Sequence, residues 1–564
     1  MFERIRRIME QSRFYNGFWP FLAATAVVVV LTAAVFWSRA HPYGVHWDEA
    51  EYLNQVGVDA QRLWAGKLLT LGGRILIKTL GRPPAYRILV LPFLAVFGFH
   101  VLIARLVSLA CFTLSSWFVY LAASRIGNTI AGAFAVLIFV LSPEVVSASI
   151  FFGTDASLYL ATSAMLYYVF ESWHDKHDKV ERSRTWIGLG LAFGLGFLAK
   201  TSFFVIAFPV LAFWLIAGRY GWLEIPSVTA QNKAGGLALL IAAPWWVANI
   251  RTSFAYAQYA RGFVRNSLGA PSPGTWLRWF NTVVQGLLGH GLAILIGLVL
   301  ITYCVTAIIR KDTLLDSLQK AAIMACACAG VPIVLTQLSG TNHLLRHISP
   351  AMIPLAISVA VLAERSGWTY SWAGTAASTI LFCGQLIMLV APVAFPNNHP
   401  IDLAFPNGAL PWQAMVRFDQ WDWTPVRDIG QSCGREAPKI SYLGNGRAFD
   451  APQIQFFWIS KGLAQPEVTW LWRYEDGPLD WQKVMDAADQ NDIVITAPGF
   501  VGESKIKEDL DNQHNAEFAD RLSRDPHFRA PIHLGMGRFE PVEVLAFVNK
   551  TLVCRADSRL PVQP

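Results

Sequence analysis

Three carboxylates lie within four residues at Asp48-Glu49-Ala50-Glu51-Tyr52. The surrounding stretch, residues 39–87, is polar and aromatic and also carries Lys67, Arg74, Lys78 and Arg82. A positioned carboxylate can take a proton from an attacking hydroxyl, and cations beside it can bind an anionic group. A structural reading stands level with this one. Asp48-x-x-Glu51 has the form of a capping box before the helical pattern EYLNQVGVDAQRL, and a capping carboxylate can still face a cavity. His41 and His46 flank the run, but no His/Asp/Glu cluster has metal-ligand spacing. A divalent metal is therefore compatible with the carboxylates and not indicated by them.

The elements that hold this stretch are apolar. The chain has 564 residues, 54% hydrophobic and 15% charged, where a soluble domain carries about 25% charged residues. Mean hydropathy is +0.38. A helix needs about 20 apolar residues to cross a bilayer. Candidate spans lie near 19–38, 88–122, 130–148, 155–171, 186–200, 202–218, 235–250, 284–308, 321–338, 347–363 and 371–392, about eleven in all. The expected fold is an α-helical polytopic membrane protein over residues 1–393, with a soluble α/β domain over 394–564.

Loop charge sets the expected orientation. Arg4, Arg6, Arg7 and Arg13 place the N-terminus in the cytoplasm, and an odd number of spans then puts 39–87 and the tail outside it. Ser38-Arg39-Ala40 has the look of a cleavage site, but the apolar stretch before it is longer than a signal core, so the first helix is expected to be retained. The outer side still carries Arg251, Arg261, Arg265 and Arg278, in an expected loop 251–283 with Tyr256 and Tyr259. Such a loop is either a lid over a lipid or a connector touching anionic headgroups. The basic residues are spread over many loops without aromatic interleaving, which excludes a nucleic-acid partner.

In the tail, KISYLGN, VTWLWRY, DIVITAPG and VEVLAFVN read as strands, and WQKVMDAADQN and AEFADRLSRD as helices. Trp412, Trp421 and Trp423 suggest a segment on the bilayer surface. Cys433 and Cys554 are the tail's two cysteines, and outside the cytoplasm a disulfide between them is expected. Cys111, Cys304, Cys326, Cys328 and Cys383 fall in apolar spans and read as packing residues.

Asp48-Glu49-Ala50-Glu51-Tyr52, just after a first span, resembles the D-E-x-x-Y motif of GT-C glycosyltransferases, in the branch of protein O-mannosyltransferases and lipid A aminoarabinose transferases. Four further segments agree in order. Arg82-Pro83-Pro84-Ala85-Tyr86 resembles that branch's basic-Pro-Pro-hydrophobic motif. Gly153-Thr154-Asp155 resembles its second acidic site, and Gly196-Phe197-Leu198-Ala199-Lys200 its G-x-x-x-K helix end. His343-Leu344-Leu345-Arg346, before Pro350 and Pro354, resembles its R-Y-L-L-P segment with a changed residue order. One departure concerns the aminoarabinose transferases, in which the position matching Glu51 is basic and meets the lipid phosphate.

The resemblance implies a sugar moved from a polyprenyl-phosphate carrier to a lipid, glycan or protein acceptor, with inversion, on the outer face of a bacterial inner membrane. It implies Asp48 as general base and Glu49 as the group orienting it or the acceptor. Asp155 is implied to bind a sugar hydroxyl or position the acceptor, against a bland reading in which Thr154 or Asp155 caps a helix. Lys200, Arg82 and Arg346 would meet the donor phosphate, with Tyr52 and Tyr86 lining the substrate site. For Lys200 the bland reading is snorkelling to the interface. The competing function is a transporter or flippase of a lipid-linked sugar, a class that shows internal repeats and paired broken helices. No such pairing is visible in the sequence.

Overall fold

The structure, a computed structural model, describes residues 13–40, 47–77, 81–173, 179–223, 228–268, 273–310, 314–339, 345–394, 421–432, 437–444, 450–502, 507–537 and 542–551. The eleven apolar segments all fall on helix. Among the described residues seven helices qualify as membrane spans by length and apolarity, or eight when Thr129–Val140 and Pro143–Ile150 are taken as one span bent by 69°. Ala85–Phe97, Arg184–Ala199 and Phe203–Arg219 are apolar but shorter.

Two of the expected spans are interrupted, each for a local reason. Residues 88–122 divide at Gly98, whose φ of 82° ends Ala85–Phe97 before Val101–Ile126 begins. Residues 130–148 bend where Pro143 occupies the first turn of the second helix, a position where its missing N–H costs nothing. The expected loop 251–283 is instead largely helical. Val228–Leu268 runs on through its first half, followed by Pro273–Thr282 and a π-helical turn at Val283–Leu288.

The helices pack around a core that includes Trp19, Phe112, Phe134, Phe139, Tyr159 and Phe170, all fully buried. The first helix, Arg13–Ala40, belongs to this core through Trp19 and Trp37.

The C-terminal region forms a five-stranded sheet in the order β2-β1-β3-β5-β4. The strands are β1 Lys439–Tyr442, β2 Glu467–Trp470, β3 Ile493–Thr496, β4 Ile532–Met536 and β5 Glu543–Val548. β1 pairs in parallel with β2 and β3, while β5 runs antiparallel to β3 and β4. The four expected strands and both expected helices are present, Trp481–Ala488 and Asn515–Arg524. The sequence reading missed β4, whose apolar residues are broken by Gly535, and the helix Ala451–Ser460, whose Pro452 sits in its first turn. Trp421 and Trp423 are buried in the core of the sheet, not set on a bilayer surface, and Trp421 Nε1 donates to the Val542 carbonyl at 3.0 Å. Trp412, Cys433 and Cys554 lie outside the described residues.

Candidate active site

The helix Trp47–Trp64 presents three faces, each with a different task. Residues three and four apart share a face. Asp48, Glu51, Tyr52 and Gln55 therefore form one stripe, and Glu49, Leu53, Val56 and Ala60 another. Asn54, Gly57 and Gln61 form the third.

The Asp48 stripe meets cations. Asp48 Oδ2 is ion-paired with Arg346, and its Oδ1 lies 3.7 Å from Arg82. Arg82 also holds Glu51 at 2.8 Å and donates to the Tyr256 hydroxyl at 3.0 Å. Its guanidinium stands over the rings of Tyr52 and Tyr256, at 5.2 and 5.4 Å from their centroids. Burial raises the Glu51 carboxyl above its ordinary range, Arg82 pulls it back and Asp48 pushes it up again. Tyr86 donates to Gln55, whose amide reaches Glu51 at 3.5 Å, and the Tyr52 and Tyr86 rings meet edge to face at 4.7 Å. Trp47 is already helical, so Asp48 lies within the helix and not at its cap. Its carboxylate is committed to the arginines.

Glu49 points elsewhere. Both its oxygens are held at 2.8 Å by Arg105, and Oε1 also accepts the Phe152 backbone N–H at 3.0 Å, all in buried surroundings. Nearly three turns further on, and four residues past Gln55 on the Asp48 stripe, Asp59 takes Arg87 through two bonds of 2.7 and 2.8 Å and Arg74 at 3.3 Å, with Asp59 and Arg87 fully buried. Two bidentate pairs thus pin the helix on two adjoining faces.

Arg82 is placed by the residue before it. Gly81 has a φ of 74°, and a Cβ there would come within 3.0 Å of the Thr252 carbonyl. Ser253 donates to the Gly81 carbonyl at 3.1 Å, which ties this corner to the long helix Val228–Leu268.

The second acidic group forms a second pair. Lys200, just past the end of Lys179–Ala199, meets Asp155 at 2.6 Å. Asp155 is in the first turn of Thr154–Ser172, where the helix dipole favours an anion. The N-cap residue there is Gly153, and no side chain caps it. Arg346 interacts with both Asp48 and Asp155 and so joins the two pairs. The structure therefore brings Asp48, Asp155, Lys200, Arg82, Arg346, Tyr52 and Tyr86 into one connected cluster. Glu49 stands beside it in its own bond to Arg105.

Sequence reasoning passed over Arg105, Arg87, Asp59, Gln55 and Glu144. Arg105 had a usable signal, since an arginine inside an apolar stretch needs a partner. Glu144, in Pro143–Ile150, interacts with Asp155, Arg346 and Lys200. Among the described residues one trio has metal-ligand proximity, Asp489, Asp525 and His527, and it lies in the C-terminal region away from this cluster.

Comparison with known proteins fits this geometry. The profile of the dolichyl-phosphate-mannose-protein mannosyltransferase family matches residues 81–247. No curated protein sequence matches significantly. Among solved structures, ArnT from Cupriavidus metallidurans bound to undecaprenyl phosphate superposes with a TM-score of 0.59 at 14% identity, covering 95% of this chain and 98% of that one. Archaeal oligosaccharyltransferase AglB from Archaeoglobus fulgidus, in complex with an inhibitory peptide and a dolichol-phosphate, superposes with a TM-score of 0.51 at 11% identity, covering 98% of this chain and 76% of that one. The chain thus has the GT-C fold that its motifs resemble.

Proposed function

We propose that this chain is an integral membrane glycosyltransferase. It moves one sugar from a polyprenyl-phosphate carrier to a hydroxyl of a lipid, glycan or protein acceptor, on the extracytoplasmic face of the membrane and with inversion. The observation that carries the reading is the joining of Asp48 to Arg82 and Arg346, with the Asp155–Lys200 pair beside them. Transfer from a sugar phosphate needs a base for the incoming hydroxyl and cations for the departing phosphate. This cluster contains both.

In the proposed reaction the acceptor oxygen attacks the anomeric carbon while Asp48 takes the hydroxyl proton. The bond from that carbon to the phosphate oxygen breaks, and the carrier phosphate leaves with the electron pair toward Arg82, Arg346 and Lys200. These cations are matched by Asp48, Glu51 and Asp155. The donor phosphate competes with those carboxylates, so donor binding loosens Asp48 from its arginines and readies it as a base. Asp155, released from Lys200 in the same way, is placed to accept a sugar hydroxyl. Glu49 acts through position, since Arg105 and the Phe152 N–H occupy its oxygens.

The membrane part is proposed as residues 1–393 and the extracytoplasmic α/β domain as 394–564, in a bacterial inner membrane. One bent helix pair is present among the described residues, which does not supply the matched broken helices of a transporter. The test is a transfer assay on purified protein with polyprenyl-phosphate sugars and candidate acceptors. Loss of turnover in Asp48→Asn, with the variant still folded and membrane-inserted, is the expected result. Near wild-type turnover in that variant overturns the base assignment.

A further inference from the structure

The third face of the Asp48 helix does not touch the charged cluster. It receives the C-terminal region. Asn54 Nδ2 donates to the Pro452 carbonyl at 2.7 Å, and Gln61 Nε2 donates to the Leu463 carbonyl at 3.2 Å. Pro452 lies in the first turn of the helix Ala451–Ser460, and Leu463 follows three residues past its end. Between them lies Gly57, where a Cβ would overlap Ile459 Cγ2 and come within 3.1 Å of the Phe99 ring. Phe456, 2% exposed, is buried in one cluster with Ala50, Leu53, Val56 and Tyr86, and its ring meets Phe99 edge to face at 6.2 Å.

The contact is close, specific and directed at the residues that matter. Asn54 and Gly57 lie within three turns of Asp48, on the same rigid helix. The helical repeat aligns the faces of the helix with one another, so a partner that grips one face sets the rotation of the others. Glu49 and Asp59 fix the helix from two other faces. Ala451–Ser460 fixes it from the third. Asp450, which caps that helix, is near enough to interact with Asp48 and Glu51 themselves.

We propose that Ala451–Ser460 is a clasp that sets the position of the helix bearing Asp48, with Asn54 and Gly57 as positioning residues, so that transfer in the membrane part depends on the seating of the C-terminal region. The proposal rests on the glycosyltransferase reading for its activity readout. Its geometry does not depend on that reading.

The test uses the full-length protein. Gly57→Ala forces the two helices apart, and turnover is expected to fall about ten- to a hundredfold, the scale of a catalytic group misplaced by about 1 Å. Donor KM is expected to change less than about twofold, because the phosphate-facing cations Arg82, Arg346 and Lys200 lie outside the Asp48 helix. Ile459→Ala placed in the same chain removes the overlapping methyl and is expected to restore most of the lost turnover. A merely structural defect at Gly57 would not be repaired from Ile459. Full turnover in Gly57→Ala, or a loss that Ile459→Ala does not recover, overturns the clasp. Hydrogen exchange on the same variants separates this from the functional reading. Faster exchange of both 50–62 and 451–460 in Gly57→Ala, reversed in the double variant, supports the clasp even if the wild-type protein transfers no sugar. Unchanged exchange overturns it.

Discussion

Lys200 Nζ lies 2.6 Å from Asp155 Oδ1, joining the end of one helix to the first turn of another. A snorkelling lysine would reach for headgroups. This one instead turns inward to a carboxylate that also interacts with Arg346.

Lys200→Ala is therefore expected to weaken donor use more than acceptor use. A charge-assisted hydrogen bond contributes roughly 1.5–3 kcal/mol, so donor KM should rise about ten- to a hundredfold, with acceptor KM nearly unchanged. Donor and acceptor titrations on one preparation decide the point. An unchanged donor dependence would return Lys200 to a structural partner of Asp155.

The Asp59–Arg87 pair governs stability and not chemistry. Both groups are fully buried and doubly bonded to one another. Removing one partner strands a buried charge, at a cost of roughly 3–5 kcal/mol. Asp59→Ala should unfold in detergent at a clearly lower temperature than wild type. Arg87→Met combined with Asp59→Leu should recover part of the loss, since it leaves no fully buried charge and Arg74, the remaining partner of Asp59, is partly exposed. A single variant as stable as wild type would mean that Arg74 or solvent relieves Arg87.

Asp450 makes the junction between the two regions sensitive to pH. Burial pushes its carboxyl up to about 7 from an ordinary 3.8. The Gln453 backbone N–H lowers it, and Asp48 and Glu51 add to the rise. A group that holds its proton more tightly when folded favours the folded state as pH falls. This contribution is fully present near pH 4 and is lost as pH rises through about 7. Asp450→Asn keeps the capping acceptor and removes the titration, so it should gain stability over wild type between pH 5 and pH 8. Thermal unfolding at the two pH values measures the gain. A constant difference between the two proteins would exclude Asp450 as its source.

Much of this was legible in the sequence because membrane helices and motif residues leave local signals. The apolar runs marked the helices, and charged residues beside them marked Asp48, Arg82, Asp155, Lys200 and Arg346. What was not legible depends on contacts distant in sequence. Nothing local says that Glu49 turns to Arg105 while its neighbour Asp48 turns to Arg346. That split follows from which side of the helix each one occupies. The helix Ala451–Ser460 was missed for a similar reason: its apolar residues run nearly all round, because it is buried between the sheet and the Asp48 helix.

The last prediction joins topology to redox state. Cys433 and Cys554 lie outside the described residues. Ile429, in the helix Thr424–Ser432, packs against Val548 at the end of β5, with Ile532 beside them. Cys433 follows Ile429 by four residues and Cys554 follows Val548 by six. If the C-terminal region is extracytoplasmic, as proposed, the two thiols meet oxidising conditions and a disulfide is expected. It would close a loop of more than a hundred residues, for which chain entropy suggests about 4–5 kcal/mol of stabilisation. Membrane-impermeant thiol labelling of intact cells tests both parts. Labelling of the tail only after reductant supports the bond and the sidedness together. Labelling without reductant leaves the sidedness and removes the bond. Labelling only after the inner membrane is permeabilised places the region in the cytoplasm and overturns the outward-facing site with it.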